Sequence, residues 1–382
     1  MSCALRLLEK QMNANLADSR RQSANLGAPL DERSSKTGRI VYFLGAGASK
    51  SICKWLPVGS GLTLGTLADI REYSDQMPPT TQASRLATFL DAWNDAQRYR
   101  DLPLEESLPI LKSMHPEEFG LVHYCLAMRL SVDNREYWVP WVEKWLSFVR
   151  ERRDVIITTN YDTLIETAHS MIPSGCLADC LHCLDFGVRV QRTHKFSYSN
   201  RWDGAPELSV LLLKLHGSVS WLFCQNQKCS TYSLDPMWDY ALDSIARPGA
   251  YPPCPECNEK ASRRPVLVSP LRDKLYTDSA IKEIWSAAED ALSRAERVIF
   301  AGFSLNANDE AVRSLLARCF AAGATKRVTV IDRNWQAIEK NYRSLYGGVV
   351  EPATQRDWRS FLDESFSHQL ETKKGRGVNT RP

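Results

Sequence analysis

Short, uninterrupted runs of apolar residues recur along the chain after a polar N-terminal stretch. Most of them lack the alternation of a half-exposed strand. Such runs are typical of strands that are covered on both faces. The predicted strands are IVYFL (40–44), DVIIT (154–158), VLLLKL (210–215), PVLV (265–268), RVIFAG (297–302) and RVTVID (327–332).

Amphipathic patterns between several of these runs predict helices. The clearest covers residues 277–296, where Ile281, Ile284 and Leu292 fall on one face. A second follows the sequence NANDE, with an apolar stripe and a stop at Gly323. Strands that alternate with helices predict an α/β fold, an open parallel Rossmann-like sheet with helices on both faces.

Two long intervals interrupt this alternation and are predicted as insertions. Residues 66–150 are helix-like and rich in Trp and Leu, whereas residues 224–262 are poor in apolar residues and rich in Cys and Pro. We therefore expect an N-terminal extension over 1–37 and a main domain over 38–365 that contains both insertions. A C-terminal tail is expected over 366–382.

Composition and charge argue against several classes of protein. The formal charge of +3 over 382 residues is too small to indicate a nucleic-acid-binding protein. No stretch approaches the roughly 18 apolar residues of a membrane span, and the N-terminus lacks a signal-peptide core. We expect a cytoplasmic protein, in which the 11 cysteines indicate metal binding before disulfides.

The first predicted strand runs directly into the sequence GAGAS, residues 45–49. Gly45 and Gly47 fit the start of a G-x-G-x-x-G dinucleotide fingerprint, but Lys50 occupies the third glycine position. No Gly-Lys-Ser/Thr follows at the distance of a Walker motif. The pattern indicates either a phosphate-binding turn or a purely structural one.

Polar residues also follow two other predicted strands. Thr159, Asn160 and Asp162 follow the second strand, and His216 follows the third. Because ligands bind outside the carboxyl ends of parallel strands, these side chains are candidates for a common site. The alternative is that Asn160 and Asp162 cap the next helix and that His216 is a packed core residue.

The ends of the last two predicted strands offer a further set of polar groups. Gly302 and Ser304 follow one strand, and Asp332 follows the other. An acidic residue at a strand end suits a ribose diol, and the neighbouring Arg333 would suit a 2′-phosphate. The alternative is that Asp332 is an ordinary solvated carboxylate.

Four cysteines in the second insertion form two pairs, Cys224 with Cys229 and Cys254 with Cys257. Two such pairs separated by a spacer suit a tetrahedral structural zinc ion. A rival cluster does not divide into two pairs; it comprises Cys176, Cys180, His182 and Cys183.

Taken together and in this order, the motifs resemble the sirtuin-like family. The matching stretches are GAGAS (45–49), TTNYD (158–162), His-Gly (216–217), the four cysteines, GFS (302–304) and DRN (332–334). The resemblance implies NAD as the ligand, with His216 as general base and Asn160 orienting the nucleophile. It places Gly45, Ala46, Gly47 and Ser49 at the pyrophosphate, Thr159, Asn160 and Asp162 near the nicotinamide ribose, and Gly302, Ser304 and Asp332 at the adenosine half.

The departures from the family guide the choice of reaction. The G-I-P-D-F-R and F-G-E stretches of protein-deacylating sirtuins have no counterpart in this sequence. The chain looks more like divergent NAD-consuming domains of prokaryotic antiviral defence. We therefore expect NAD⁺ hydrolysis to nicotinamide and ADP-ribose, with an NAD-dependent protein-lysine deacylase or a non-catalytic NAD sensor as alternatives.

Destruction of NAD demands control, so we also expect a homo-oligomer or a trigger protein. By family analogy, the partner is a HerA-type ATPase or a nucleic-acid-sensing protein. Residues 66–150 are the candidate oligomer surface.

Overall fold

The computed structural model describes most of the chain from the first strand onward. The described residues are 40–69, 81–115, 118–130, 140–170, 184–188, 210–224, 226, 234–236, 257–259, 263–267, 279–306, 309–321 and 327–367. The chain divides after Gly38, and the first unit lies outside these ranges. The predicted extension over 1–37, nearly all of the predicted tail and the rival cluster at residues 176–183 lie outside them as well.

A seven-stranded sheet carries the fold, and every neighbouring pair of its strands is parallel. The strands are β1 (Ile40–Leu44), β2 (Val155–Thr158), β3 (Leu184–Asp185), β4 (Val210–Lys214), β8 (Arg297–Ala301), β9 (Arg327–Ile331) and β10 (Val350–Pro352). Their order across the sheet is β10-β9-β8-β1-β2-β4-β3. The predicted α/β class with an open parallel sheet is confirmed.

The strand order places a topological switch point at β1. The chain proceeds from β1 to β2 and β4 on one side, and later fills the other side with β8, β9 and β10. A crevice opens outside the carboxyl ends of the strands at such a point. The sequence that follows β1 therefore stands where an open α/β sheet binds its ligand.

The helices account for most of the remaining described residues. They are α1 (Ala46–Ile52), α2 (Leu64–Ala68), α3 (Thr81–Ala92), α4 (Ala96–Tyr99), α5 (Leu104–Met114), α6 (Phe119–Leu130), α7 (Pro140–Arg152), α8 (Leu164–Ser170), α9 (Ser279–Arg294), α10 (Glu310–Ala321), α11 (Trp335–Tyr346) and α12 (Trp358–Ser367). Helices α2 to α7 lie between β1 and β2, in the interval predicted to be helical. Within the described ranges, no helix has both the length and the apolar character that a membrane crossing requires.

Two adjacent residues of β1 show how helices cover both faces of the sheet. Side chains of neighbouring strand residues point to opposite faces. Tyr42 packs edge-on against Trp145 of α7 and Trp358 of α12, with ring centroids 5.4 and 5.9 Å away. Phe43 packs against its strand neighbour Phe300, which contacts Tyr342 of α11. The core therefore continues through the sheet, as the unbroken apolar strands predict.

A second, antiparallel sheet follows β4 and was not expected. It consists of β5 (Gly217–Cys224), β6 (Leu234–Pro236) and β7 (Arg263–Leu267) in the order β6-β5-β7. The prediction that the run PVLV joins the parallel sheet is wrong, because these residues pair with β5 instead. Periodicity alone identifies a strand but does not say which sheet it joins.

Candidate active site

A cavity of about 770 Å³ lies outside the carboxyl ends of the parallel strands. This volume is within the range of small-molecule and cofactor sites. All of the predicted NAD-site residues except Gly45 and Ser49 line it. The predicted residues that do so are Ala46, Gly47, Thr159, Asn160, Asp162, His216, Gly302, Ser304 and Asp332.

The glycine turn after β1 is locked against the end of β8. The amide of Gly45 donates to the carbonyl of Ala301 at 2.9 Å, and the amide of Gly47 donates to the carbonyl of Gly302 at 2.9 Å. A Cβ atom on Gly45 would lie 2.5 Å from the carbonyl oxygen of Gly302. Glycine is therefore required here so that the two backbone segments can come into contact. The amides of both glycines donate to carbonyl groups of the protein itself. Lys50, one helical turn further on, does line the cavity.

Two hydrogen bonds hold the side chain of Asn160 at the edge of the cavity. Its Nδ2 donates to the carbonyl of Gly45 at 3.0 Å and to the hydroxyl of Ser49 at 2.9 Å. Because a carbonyl oxygen only accepts, the contact with Gly45 fixes the orientation of the amide. Both N–H groups of Asn160 thus have protein acceptors. Its carbonyl oxygen is the group that remains to accept a hydrogen bond from a ligand or a water molecule.

A buried charged network lies beneath Asn160. Lys214, the last residue of β4, donates from Nζ to Oε1 of Glu166 at 2.6 Å and to the carbonyl of Asp162 at 2.5 Å. Burial raises the pKa of both Asp162 and Glu166, and the Lys214 ammonium opposes that rise. Asp162 also accepts from the amide of Leu164, the first residue of α8, at 3.1 Å while lining the cavity.

Ser49 links this network to Asn160. Its hydroxyl hydrogen bonds to the Asp162 carboxyl and accepts from the Asn160 amide. Ser49 is buried and does not line the large cavity. It therefore orients two cavity residues from behind, and the pyrophosphate contact that the family resemblance implies stays a prediction.

His216 lies two residues after the end of β4 and is almost fully buried. Its ring lies 6.0 Å from the ring of Tyr161, centroid to centroid. Its Nε2 atom lies 3.6 Å from Oδ2 of Asp309, a residue that also lines the cavity. The structure thus brings His216 and Asn160 to one cavity, from two neighbouring strands of the sheet.

The far rim of the cavity carries the residues predicted for the adenosine half. Ser304 is exposed in the loop after β8, and Asp332 is half-buried after β9. Burial raises the pKa of Asp332, and its Oδ1 accepts from the amide of Asn334 at 2.8 Å. Arg333 lines the cavity beside it.

Several residues of the site were missed from the sequence. An apolar part of the cavity lining comes from α5 and α6, including Leu104, Leu108, Leu126 and Leu130. These leucines place part of the interval 66–150 at the cavity. Two charged residues stand out in the sequence, Lys214 within the apolar run VLLLKL and Asp309 in NANDE. Their partners, Glu166 and His216, lie far away along the chain, so the sequence alone does not pair them.

The predicted zinc ligands fall largely outside the described residues. Cys229 and Cys254 are not described, and only the backbone of Cys224 is, at the end of β5. Among the described residues there is no group of three or more potential metal ligands. The register of the small sheet nevertheless pairs Cys224 with Arg263, six residues beyond the half-buried Cys257.

Comparison with known proteins places the chain in a family. A family model described as a SIR2-like domain matches residues 154–347. No curated protein matches the chain by sequence. Similar solved structures include a mutant Sir2 homologue in complex with 2′-O-acetyl ADP ribose (16% identity, covering 92% of this chain and 98% of that chain, TM-score 0.45). A Sir2 homologue in complex with NAD (15% identity, 91% and 96%, TM-score 0.45) is another. The family model spans just over half of the 382 residues, and the chain therefore belongs to the SIR2-like family.

Proposed function

We propose that this protein is an NAD⁺ glycohydrolase that converts NAD⁺ and water into nicotinamide, ADP-ribose and a proton. Membership of the SIR2-like family implies an NAD-utilising enzyme. The observation that carries the hydrolytic proposal is the fixed amide of Asn160, whose remaining carbonyl oxygen is an acceptor at the cavity that the buried His216 also lines. An acceptor and a base at one cavity are what a water nucleophile requires.

The chemistry needs few groups from the protein. The nicotinamide of NAD⁺ is a cationic pyridinium, so it leaves as a neutral molecule without a general acid. The transition state resembles an oxocarbenium ion at the ribose. Asn160 accepts a hydrogen bond from the attacking water, and His216 takes a proton from it as the oxygen–carbon bond forms.

The positions of the polar and charged side chains around the cavity support one mode of NAD⁺ binding. Asp332 accepts hydrogen bonds from the adenosine ribose hydroxyls, near Ser304 and Gly302. The amides of Gly45 and Gly47 have protein partners, so the pyrophosphate needs another positive group. Lys50 lines the cavity next to the turn and supplies that charge.

The choice of water over an acyl-lysine rests on the sequence. The chain lacks the G-I-P-D-F-R and F-G-E stretches of protein-deacylating sirtuins. Deacylation remains the competing reaction, and a non-catalytic NAD sensor is the competing function. Both differ from hydrolysis in what happens to NAD⁺ when no peptide is present.

The experiment measures NAD⁺ consumption by the purified protein and identifies the products by mass spectrometry. We expect nicotinamide and ADP-ribose without added peptide, and a loss of at least about 100-fold in kcat for His216→Ala and for Asn160→Ala. Turnover only with an acetylated peptide would make the protein a deacylase. Tight NAD⁺ binding without turnover under any condition would make it a sensor.

We also propose that Cys224, Cys229, Cys254 and Cys257 bind a structural zinc ion. The antiparallel pairing of β5 with β6 and β7 supports this, because it brings the chain after Cys224 and the chain after Cys257 to the same end of the small sheet. Four thiolates leave no open position on zinc, so the ion would stabilise the module and take no part in hydrolysis.

The biological setting belongs to the same proposal. Unregulated hydrolysis would empty the cell of NAD⁺, which supports a controlled effector in prokaryotic antiviral defence. Control would come from a homo-oligomer or from a HerA-type ATPase or nucleic-acid-sensing partner. The family resemblance is the support for this setting, and size-exclusion chromatography with light scattering tests the oligomer.

A further inference from the structure

A carboxylate stands against the imidazole of His216. Oδ2 of Asp309 lies 3.6 Å from Nε2 of His216, and the two side chains are 11% and 3% exposed. This separation is within ion-pair range and longer than a formed N–H···O hydrogen bond. Catalytic hydrogen bonds are often long in empty sites and shorten when the substrate is bound.

The backbone around Asp309 is held in place by several contacts. Its amide donates to the carbonyl of Asn306 at 3.2 Å, and its carbonyl accepts from the amide of Arg313 at 3.0 Å. Oδ1 accepts from the amide of Val312 at 3.4 Å, close to the start of α10. The two carboxylate oxygens therefore have different neighbours. One faces the helix terminus and the other faces His216.

We propose that Asp309 is a positioning residue for His216 in the hydrolysis of NAD⁺, so this inference rests on the proposed function. Asp309 directs the Nε2–H of His216 toward itself, which leaves the lone pair on Nδ1 to take the proton. A carboxylate beside a histidine base holds the tautomer and stabilises the imidazolium that forms.

The proton and electron balance of the step is complete. One water proton moves to Nδ1 of His216 while the water oxygen bonds to C1′ of the ribose. The electron pair of the C1′–nitrogen bond leaves with nicotinamide. The proton on His216 then passes to solvent, and Asp309 takes up no proton in the step.

The first test compares Asp309→Asn with the unchanged protein. Asparagine retains an oxygen that can accept from Val312 at the helix terminus and removes the negative charge. We expect kcat to fall about 100-fold, within the range of a general-base contribution, with KM changed less than about twofold. A rise in KM at unchanged kcat would mean that Asp309 binds the substrate, and the proposal would be wrong.

A double-mutant cycle shows whether Asp309 acts through His216. In a His216→Ala background, Asp309→Asn should cause no further loss of kcat, because the group it positions is gone. The same fold-loss in both backgrounds would overturn the proposal. Unfolding curves of Asp309→Asn should match those of the unchanged protein if the helix terminus is intact.

A spectroscopic readout does not depend on turnover. The Cε1–H resonance of His216, assigned among the seven histidines by its loss in His216→Gln, is followed by NMR as a function of pH. Its titration midpoint should move to lower pH in Asp309→Asn, since the carboxylate favours imidazolium. Tyr161, which also faces the ring, is unchanged in both proteins.

The two proposals then fail separately. A protein that does not consume NAD⁺ but shows the shifted midpoint would contradict the hydrolase and retain the His216–Asp309 pair. An unshifted midpoint would overturn the pair whether or not the protein hydrolyses NAD⁺.

Discussion

The hydroxyl of Ser49 accepts a hydrogen bond from the side-chain amide of Asn160 at 2.9 Å. Ser49 also contacts the Asp162 carboxyl, so one buried hydroxyl fixes two residues of the cavity. Neither contact requires Ser49 to touch a ligand. Its contribution is to hold the carbonyl of Asn160 in one orientation.

Ser49→Ala should therefore lower kcat more than it changes KM. The substitution leaves a buried N–H of Asn160 without its acceptor, which costs about 1–3 kcal/mol. We expect a loss of roughly 10-fold or more in kcat and a lower melting temperature. Ser51→Ala is the matched control, since Ser51 lies on the same short helix and bonds to the carbonyl of Ala48. Equal kinetics for the two variants would contradict this role.

Lys50→Met should weaken the binding of NAD⁺. A hydrogen bond to a charged group contributes about 1.5–3 kcal/mol, so KM should rise about tenfold or more. Lys54 provides the control, because it is exposed and does not line the cavity. Steady-state kinetics of Lys50→Met and Lys54→Met decide the point. An unchanged KM in Lys50→Met would exclude Lys50 from the pyrophosphate site.

Gly302→Ala should disrupt the contact between the glycine turn and β8. Gly302 has a φ of 55°, and a Cβ there would collide with the amide nitrogen of Ala48. Gly347 has a similar φ of 64° but has nothing within 4 Å of an added Cβ. Gly347→Ala should cost only the backbone strain of a positive φ with ψ near −138°, about 1–3 kcal/mol of unfolding free energy.

Chemical denaturation of both glycine variants measures the difference. We expect Gly302→Ala to lose more unfolding free energy than Gly347→Ala and to lose NAD⁺ binding as well. If the two variants lose the same unfolding free energy, the collision with Ala48 is not the cause of the destabilisation in Gly302→Ala.

Lys214→Met should destabilise the protein strongly. Removing one partner of a buried ion pair costs about 3–5 kcal/mol, because the Glu166 carboxylate is left uncompensated. Adding Glu166→Gln to Lys214→Met should recover part of the loss. Urea unfolding at neutral pH measures both. A single variant that loses less than about 1 kcal/mol would show that the pair contributes little.

The affinity for NAD⁺ should fall at acidic pH because of Asp332. Burial raises the pKa of this carboxyl, and only the ionised form accepts hydrogen bonds at both of its oxygens. Affinity is therefore complete above that raised pKa and is lost as the pH falls through it. Calorimetric titrations in a His216→Ala background, where NAD⁺ should be consumed at least about 100-fold more slowly, measure this slope. Asp332→Asn should bind more weakly and lack the slope.

The sequence predicts the strands that carry the site better than the side-chain contacts between them. Apolar runs locate β1 and β8, and the rule for parallel sheets places Asn160 and His216 at one edge. The pairing of Lys214 with Glu166 depends on packing between β4 and α8, which no local pattern contains. The same holds for Asp309, whose role beside His216 emerges only when β4 and the loop after β8 are brought together.

The small antiparallel sheet is a part of the fold that the sequence did not predict. The sequence GSVSWLFC begins with Gly217, a turn residue with a φ of 82°, and its last residue, Cys224, was assigned to the cysteine pattern instead of to a strand. A polar-apolar alternation is present there, yet its partner strands, Leu234–Pro236 and Arg263–Leu267, come much later in the sequence. Non-local pairing of this kind has no signature in a single strand.

The backbone contact between Gly45 and Gly302 also has a consequence for adaptation of the cavity. This contact is made by main-chain atoms, which a substitution cannot replace with smaller ones. Any side-chain carbon added at Gly45 or Gly302 would collide with the backbone. The leucines of α5 and α6 that line the cavity can change size one methylene at a time. Laboratory evolution toward a larger or differently shaped dinucleotide should therefore collect its substitutions on those two helices and leave the glycine turn intact.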